Sequence, residues 1–441
     1  MISTARTAAF LLVATVLLFA TGASAQDWPQ FRGANRDGKA TAFTAPATWP
    51  KTLTQKWKVA VGEGVATPAL VGDKVFVFSR EDGNEVTRCL DAATGKEIWS
   101  DKYPAQGASG PAASFSGPRA SPAVADGKVV TLGIHGVLSC FDAGTGKKLW
   151  RTTDMPGEPR FAAASSPIIT NGLCIAQLGG PGNGGIAAYD LGTGAEKWKW
   201  TGDGPGYASP TLMTIGDAKL IIAETDKKIV AINAADGKGV WDTPFAVQGM
   251  GYNAVTPAVD GQTIIYSGGG RGTHAVKLEK TADGFTGKEI WRNPDQSVQF
   301  SSPVVKNGNI YGLSISNQLF CIDESTGKTA WTTTLGGTSP GMAGGRGPGG
   351  GGPGGGGGRG GRMGRGGGMG GGGFGSVVDA GSVLVALTPK SELVVFQPDA
   401  KTYTETAKIK VADKGTYAYP VLSGNRIFIK DQDSVALLTV D

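Results

Sequence analysis

The chain has 441 residues, and its 40% hydrophobic content supplies a large core and excludes global disorder. Its 42 Lys and Arg against 37 Asp and Glu give a formal charge of +5, but the five excess charges are arginines in two segments without a carboxylate, 1–25 and 336–375. The remaining chain is neutral, which argues against nucleic acid as a partner because such binding needs clustered cations.

Residues 1–25 have the pattern of a secretory signal peptide. A lone Arg6 precedes an apolar run at 8–20, and small residues follow at 23–25. The run is too short to span a bilayer and is typical of the hydrophobic region of a signal. We predict cleavage near Ala25 and a periplasmic or secreted chain. No Cys follows the run, so no lipid anchor is expected, and no later stretch predicts a transmembrane segment.

A nine-residue pattern recurs after this leader and is the main signal in the sequence. In every copy a glycine lies four residues before a tryptophan. The copies are DAATGKEIW (91–99), DAGTGKKLW (142–150), DLGTGAEKW (190–198), NAADGKGVW (233–241), the shorter FTGKEIW (285–291) and DESTGKTAW (323–331).

A Ser-Pro or Thr-Pro pair opens an apolar run upstream of each copy. Consecutive prolines are 54, 45, 43, 47 and 46 residues apart, which is the period of four-stranded propeller blades. In the second copy the pattern predicts strands at 121–124, 128–134, 136–142 and 147–153. The pairs are Thr67-Pro68, Ser121-Pro122, Ser166-Pro167, Ser209-Pro210, Thr256-Pro257 and Ser302-Pro303.

Two degenerate copies complete the ring. Residues 376–411 follow the strand pattern without its tryptophan, and 419–440 supply only three strands. The fourth strand is available at 53–62, where Trp57 matches the repeat tryptophan. We therefore predict an all-β, eight-bladed β-propeller of four-stranded antiparallel blades, closed by pairing of this N-terminal strand with the C-terminal blade.

The predicted organisation is a signal peptide at 1–25, an N-terminal extension at 26–52 and a propeller at 53–441. A disordered Gly/Arg-rich insertion at 336–375 holds 26 of the 72 glycines. It precedes the first strand of the seventh blade, so it is expected on the rim where the loops into innermost strands meet.

The repeat tryptophans are interpreted as structural residues that pack between blades. Cys89, Cys140 and Cys321 lie two residues before the repeat Asp, at a position that is alanine in other copies. We interpret them as inert core thiols; the alternative is a disulfide involving Cys174, or a reactive thiol. The tryptophans are Trp57, Trp99, Trp150, Trp198, Trp241, Trp291 and Trp331.

The repeat D-x-x-T-G-K-x-x-W resembles the tryptophan-docking repeat of the pyrroloquinoline quinone (PQQ) propeller superfamily. The segment DWPQFRGANRDG (27–38) is similar to the opening of exported bacterial members. That superfamily contains quinoprotein dehydrogenases and non-catalytic relatives such as the propeller lipoprotein of the outer-membrane barrel assembly machinery. The resemblance therefore implies the fold and leaves the function open.

For a dehydrogenase, the resemblance implies PQQ over the propeller mouth, calcium held by Glu, Asn and Asp side chains, an aspartate base and a disulfide between adjacent cysteines. This chain has no Cys-Cys pair, and no calcium ligand can be assigned by motif. His135 and His274 lack other ligand-type residues at metal spacing, so we interpret them as structural or solvent-facing. No catalytic or metal-binding residue is predicted.

The residues before the Ser/Thr-Pro pairs are the candidate ligand site. Loops into the innermost strands converge on one mouth of the channel, where aromatic rings, two cations and amides suit a planar anionic molecule. The alternative is that these groups satisfy one another and the strand ends. The candidates are Glu63, Arg119, Arg160, Phe161, Tyr207, Tyr252, Asn253, Gln299, Phe300, Tyr417 and Tyr419.

The sequence thus favours an exported, monomeric, non-enzymatic propeller that acts as a binding or protein-assembly platform. Its expected partner is an envelope or extracellular protein, with a small anionic ligand at the channel mouth as a further candidate. The alternative function is a PQQ-dependent dehydrogenase of reduced size, with PQQ and calcium as cofactors.

Overall fold

The computed structural model describes residues 27–247, 251–335 and 374–441. The predicted signal peptide and residues 336–373 of the predicted insertion lie outside this part of the chain. Within it, one short 3-10 helix occurs at Gly110–Ala112, and the other regular elements are strands. No helix in these three ranges is long and apolar enough to cross a membrane.

The strands are short and follow one another in hairpins. In chain order they are β1 (Thr54–Ala60), β2 (Ala69–Val71), β3 (Lys74–Glu81), β4 (Asn84–Asp91), β5 (Glu97–Pro104), β6 (Ala123–Ala125), β7 (Lys128–Leu132), β8 (Leu138–Asp142), β9 (Lys148–Thr152), β10 (Ile168–Thr170), β11 (Leu173–Leu178), β12 (Gly185–Asp190), β13 (Glu196–Trp200), β14 (Thr211–Ile215), β15 (Ala218–Glu224), β16 (Lys228–Asn233), β17 (Gly239–Pro244), β18 (Ala258–Asp260), β19 (Thr263–Gly268), β20 (Gly272–Thr281), β21 (Gly284–Asn293), β22 (Val304–Lys306), β23 (Asn309–Leu313), β24 (Gln318–Asp323), β25 (Thr329–Thr334), β26 (Ser376–Asp379), β27 (Leu384–Leu387), β28 (Glu392–Phe396), β29 (Glu405–Lys410), β30 (Val421–Ser423), β31 (Arg426–Lys430) and β32 (Ser434–Thr439).

These strands form eight four-stranded antiparallel sheets, which confirms the predicted propeller. Blades 1 to 7 are the successive groups β2–β5, β6–β9, β10–β13, β14–β17, β18–β21, β22–β25 and β26–β29. Blade 8 has the order β1-β32-β31-β30, with Thr54 opposite Thr439 and Ala60 opposite Ser434. The two ends of the chain therefore close the ring in one sheet. In blade 2 every strand end lies within two residues of its predicted position.

The repeat tryptophans dock each blade onto the next one. Six indole N–H groups donate to a backbone carbonyl of the following blade at 2.6–3.2 Å, as Trp198 does to Ala234 O at 3.1 Å. Trp241 is different, because the hairpin that follows it in blade 5 is ten residues long on each side and lacks the Asp-containing turn. Its indole is half-buried and has no acceptor among the described residues.

The small residue of each repeat lies opposite the tryptophan in the register of the two outer strands. Cys140 pairs with Trp150, and Ala188 pairs with Trp198. A small side chain here leaves room for the indole, which explains why Cys and Ala share the position. All four cysteines are buried free thiols, and burial raises the pKa of Cys140 to about 12. These thiols are therefore un-ionised at neutral pH, as expected for inert core residues.

The repeat glycine has two requirements that only glycine meets. At Gly194 φ is +74°, and a Cβ would lie 2.6 Å from the ring of Trp150 in the preceding blade. At Gly172 φ is nearly the same, +71°, but a Cβ would meet nothing within 4 Å. The two positions therefore separate backbone strain from the contact with the docked indole.

We expect Gly172→Ala to lower the free energy of unfolding by about 1–2 kcal/mol, the cost of a left-handed backbone for a residue with a Cβ. Gly194→Ala should cost a further ~1–3 kcal/mol, because the methyl group overlaps the indole. Urea unfolding of both variants measures the difference. Equal losses of unfolding free energy would show that the contact between Gly194 and the Trp150 ring does not require glycine.

The N-terminal extension lies in the central channel along the innermost strands. Trp28 pairs with Leu70 of blade 1, Lys39 bridges to Asp379 of blade 7, and Phe43 bridges to Gly424 in blade 8. Trp28 is 1% exposed. Because Trp28, Ala40, Phe43 and Trp49 belong to one buried hydrophobic cluster with residues of blades 1, 7 and 8, this segment is part of the folded core.

Candidate functional site

A cavity of ≈ 200 Å³ lies at one mouth of the channel, where the loops into the innermost strands meet. Its wall follows a simple register. Each blade contributes one wall residue, which lies two positions before the Ser, Thr or Tyr that leads into the innermost strand. The spacing is two because alternate residues of an extended chain face the same side. These wall residues are Val65, Arg119, Ala164, Tyr207, Ala254, Phe300, Phe374 and Tyr417.

The floor of the cavity is a closed ring of hydroxyl groups, which we call the hydroxyl ring. The backbone N–H of each member donates to the side-chain hydroxyl of the next member around the channel, at 2.9–3.1 Å. These bonds join blades directly at the axis and satisfy buried backbone donors. The members are Thr67, Ser121, Ser166, Ser209, Thr256, Ser302 and Tyr419.

Blade 7 does not contribute to the hydroxyl ring. In blade 7 the chain leads into the innermost strand through Gly375, which has a φ of +134°. The Ser376 hydroxyl has no partner among the described residues. The longer side chain of Tyr419 in blade 8 spans the gap, since its hydroxyl accepts from Ser302 N–H in blade 6 at 3.1 Å. Tyr419 is therefore fixed in the floor and is only 5% exposed.

Seven aromatic rings surround the cavity above this floor and form what we call the aromatic collar. Phe300 stacks on Phe374 with centroids 4.2 Å apart and planes at 4°. Edge-to-face contacts continue the collar, including Phe161 with Tyr252 at 4.7 Å. Edge-to-face contact is a preferred geometry for aromatic pairs. The collar consists of Phe115, Phe161, Tyr207, Tyr252, Phe300, Phe374 and Tyr417.

Seven of the eleven rim candidates line the cavity. They are Arg119, Phe161, Tyr207, Tyr252, Phe300, Tyr417 and Tyr419. The other four, Glu63, Arg160, Asn253 and Gln299, do not line it.

The sequence positions of Asn253 and Gln299 explain why their side-chain amides lie outside the cavity. Asn253 and Gln299 lie three residues before the hydroxyl ring, so their side chains face away from the cavity. Asn253 is 2% exposed; its amide nitrogen donates to Thr225 O at 2.9 Å and its oxygen accepts from Arg271 at 2.6 Å. The amide of Asn253 is therefore occupied within the protein.

The remaining two candidates lie outside the wall. The Glu63 carboxylate accepts a hydrogen bond from the Ser116 hydroxyl. Arg160 is exposed, and its guanidinium lies 5.5 Å from the centroid of the Phe161 ring. Both flank the mouth without entering it.

Three aromatic residues of the cavity lining were not among the sequence candidates. Phe374 could have been found, because it precedes Ser376 by two residues as Phe300 precedes Ser302. Phe115 lies in the loop after the 3-10 helix and follows no register, and Phe31 reaches the cavity from the N-terminal extension. Neither residue belongs to the repeat pattern of the sequence.

Arg119 is the cationic residue of the cavity wall. Its guanidinium donates to Ala112 O at 3.0 Å, to Phe115 O at 2.8 Å and to Phe161 O. Burial lowers the pKa of Arg119 from its usual value, yet the group stays charged at neutral pH. Arg119 thus holds two collar loops together and adds one positive charge to an aromatic pocket.

His135 also joins two of the loops that carry the collar. Its Nδ1 lies 2.6 Å from Glu158 Oε2, and its Nε2 lies 3.0 Å from Gln106 O. Both partners accept hydrogen bonds, so this geometry is satisfied when both ring nitrogens carry protons. Burial opposes that charge, but the bonds to Glu158 and Gln106 outweigh it and raise the pKa of His135 above its usual value.

The contribution of His135 to stability should be present below pH ~6.5, its pKa in the unfolded chain, and lost as pH rises through the higher folded value. We expect the melting temperature of His135→Gln to vary less with pH above 6.5 than that of the unaltered chain. His274 is the matched control. Burial lowers the pKa of His274, so His274→Gln should change the pH dependence of the melting temperature on the acid side only. Parallel pH profiles for all three proteins would contradict this role.

The described cavity lining lacks the ligands that PQQ with calcium, the cofactors implied by the sequence resemblance, would need. Calcium takes six to eight oxygen ligands, usually with carboxylates among them. No described residue of the cavity lining is Asp or Glu, and the nearby Asn253 oxygen already accepts from Arg271. The residues present therefore do not fit a calcium-bound PQQ.

Known proteins resemble this chain in sequence. A profile of the PQQ_2 family, described as outer membrane protein assembly factor BamB, matches residues 36–201 and 86–333. The chain is 25% identical over 293 residues to BamB of Burkholderia pseudomallei, covering 63% of this chain and 68% of that protein. It is 42% identical over 106 residues to the quinohemoprotein alcohol dehydrogenase ADH IIB of Pseudomonas putida, which is 23% of this chain but 14% of that enzyme.

Solved structures show the same fold. BamB from Moraxella catarrhalis superposes with a TM-score of 0.60 at 13% identity, covering 88% of this chain and 100% of that one. Quinohemoprotein alcohol dehydrogenase from Comamonas testosteroni gives 0.63 at 15% identity, covering 96% and 81%. Such low identities support the fold alone, whereas the profile match spans more than half of the sequence. The chain belongs to the PQQ_2 family, the family of the outer membrane protein assembly factor BamB.

Proposed function

We propose that this protein is a monomeric, non-enzymatic binding and protein-assembly platform, exported to the periplasm or beyond, and that the collar cavity holds part of its partner. The observation that carries the proposal is the aromatic collar above the hydroxyl ring. A concave, mostly apolar site with a few fixed polar groups is the usual form of a binding pocket. The signal-peptide pattern and the BamB relatives support the location and the assembly role.

The size of the cavity defines its guest. A cavity of about 150 Å³ holds one benzene molecule, so ≈ 200 Å³ accommodates a flat group of one or two fused rings. The collar offers ring edges and faces to such a group, and the Arg119 charge favours a carboxylate beside it. The ligand that fits this description is an aromatic side chain of an envelope protein, next to an acidic group. A small planar anion has the same chemistry.

Titration with indole-3-acetate tests this site, since the molecule combines two fused rings with a carboxylate. We expect saturable binding that Phe300→Ala weakens at least about tenfold, because a stacked wall of the cavity is lost. Tyr403→Ala is the matched control: that ring packs on Trp331 in the outer part of the propeller, and its loss should leave the affinity unchanged. No saturable binding, or equal losses in both variants, would contradict the proposal.

The dehydrogenase alternative is favoured by the short match to a quinohemoprotein enzyme and opposed by the lining of the cavity. With PQQ, calcium, primary alcohols and an electron-accepting dye, we expect no alcohol-dependent dye reduction. Such reduction, abolished by removing calcium, would replace the binding role by the enzymatic one.

A further inference from the structure

Two arginines of the N-terminal extension are fully buried in the channel next to the hydroxyl ring. Arg32 is 0% exposed and Arg36 is 2% exposed. Arg32 donates from Nη2 to Pro303 O at 2.7 Å in blade 6. Arg36 donates to Pro167 O at 2.8 Å and Ser166 O at 3.0 Å in blade 3. The two guanidinium groups therefore connect the extension to blade 6 and to blade 3.

Neither charge is neutralised by the described residues. All acceptors of these two groups are uncharged: the three carbonyls above, Asp37 O and the side-chain amide of Gln30. No carboxylate of the described chain forms an ion pair with either arginine. The pKa of Arg36 falls to about 9 because of burial and the neighbouring charge of Arg32. Two buried cations that repel each other and have no anion beside them among the described residues are costly.

Several hydrogen-bond donors at this place also lack acceptors. The Nε and Nη1 groups of Arg32, the Nε group of Arg36 and the indole N–H of Trp28 are buried without a partner among the described residues. All four belong to one short segment, and all are donors. Buried polar groups in native proteins are almost always paired, so this set calls for an acceptor.

We propose that the channel binds a small monovalent inorganic anion of the halide class between Arg32 and Arg36. A halide only accepts hydrogen bonds and carries the missing negative charge. A water molecule would bring its own donors and would leave both charges uncompensated. A larger oxyanion is disfavoured because aromatic rings border both groups: the Arg32 guanidinium lies 5.9 Å from the centroid of the Tyr419 ring, and that of Arg36 lies 5.9 Å from the Phe31 ring.

The anion would be a structural ligand that attaches the extension to the propeller. The contacts of Arg32 and Arg36 already reach blades 6 and 3, and a shared anion would join the two contacts into one unit. This inference rests on the two arginines and not on what the collar cavity binds, although Phe31 and Tyr419 border both sites.

Melting in chloride and in gluconate at equal ionic strength tests the site, since gluconate is an organic anion much larger than a halide. A ligand of the native state should raise the melting temperature by about 1–2 °C per tenfold increase in chloride above its dissociation constant. Arg36→Gln should lose this chloride dependence. Arg151→Gln, which removes an arginine paired with Asp101 on the outer strands, should keep it.

Crystals of the unaltered protein grown in bromide provide a second readout that needs no variant. We expect an anomalous peak within hydrogen-bond distance of both guanidinium groups. Identical melting in chloride and gluconate, or anomalous peaks confined to the protein surface, would overturn the proposal.

Discussion

A chain that begins at residue 45 is expected to melt at least about 10 °C below a chain that begins at Asp27. The deleted segment includes Trp28, 1% exposed, and Phe43, 7% exposed, and truncation of such buried rings costs about 3–5 kcal/mol each. The deletion also removes the contacts of Arg32 and Arg36 with blades 6 and 3. Differential scanning calorimetry measures the loss.

A change at the exposed end of the same extension is the control for this deletion. Lys51 is exposed and lies just before the closing strand β1. Lys51→Ala should shift the melting temperature by less than about 1 °C. If the shortened chain melts like the longer one, the extension is a linker and the account of a filled channel is wrong.

Trp198→Ala should lower the free energy of unfolding by about 3–5 kcal/mol. The indole of Trp198 is 8% exposed and packs on Gly237 of the next blade. Its N–H donates to Ala234 O at 3.1 Å, so truncation opens a cavity between blades 3 and 4 and leaves a buried carbonyl unpaired. Guanidinium unfolding measures the change.

Trp241 is the matched control within the repeat. It occupies the same repeat position but is half-buried, and its N–H has no carbonyl partner among the described residues. Trp241→Ala should therefore cost less than Trp198→Ala by about 1–2 kcal/mol. An equal or larger loss at Trp241 would show that the interblade hydrogen bond and full burial contribute little.

The fold was predictable because its determinants are local and periodic. Turn glycines, docking tryptophans and the Ser/Thr-Pro pairs recur in each blade, and one blade cannot bury its faces without its neighbours. Trp57, far from the last blade in sequence, indicated closure because it repeats the pattern of the others. Strand ends were predicted within two residues in blade 2 for the same reason.

The site was predictable only in part, because it depends on which way each side chain faces. Period-two alternation places Phe300 in the wall and turns Gln299 away, a distinction that the composition of the loops does not make. Phe115 and Phe31 enter the cavity from segments outside the repeat, and the Tyr419 hydroxyl reaches past blade 7 to Ser302 in blade 6. Such contacts between distant parts of the chain leave no local pattern in the sequence.

The most direct test of the central claim is photo-cross-linking at the cavity mouth in the native envelope. A benzophenone amino acid would replace Arg160, which is exposed beside Phe161, or Ile98, which is 46% exposed on the outer strand β5 of blade 1. We predict a discrete adduct with an envelope protein from position 160 that disappears when Phe300→Ala is added, and none from position 98. No adduct from position 160, or one that persists in the Phe300→Ala background, would contradict binding at the aromatic collar.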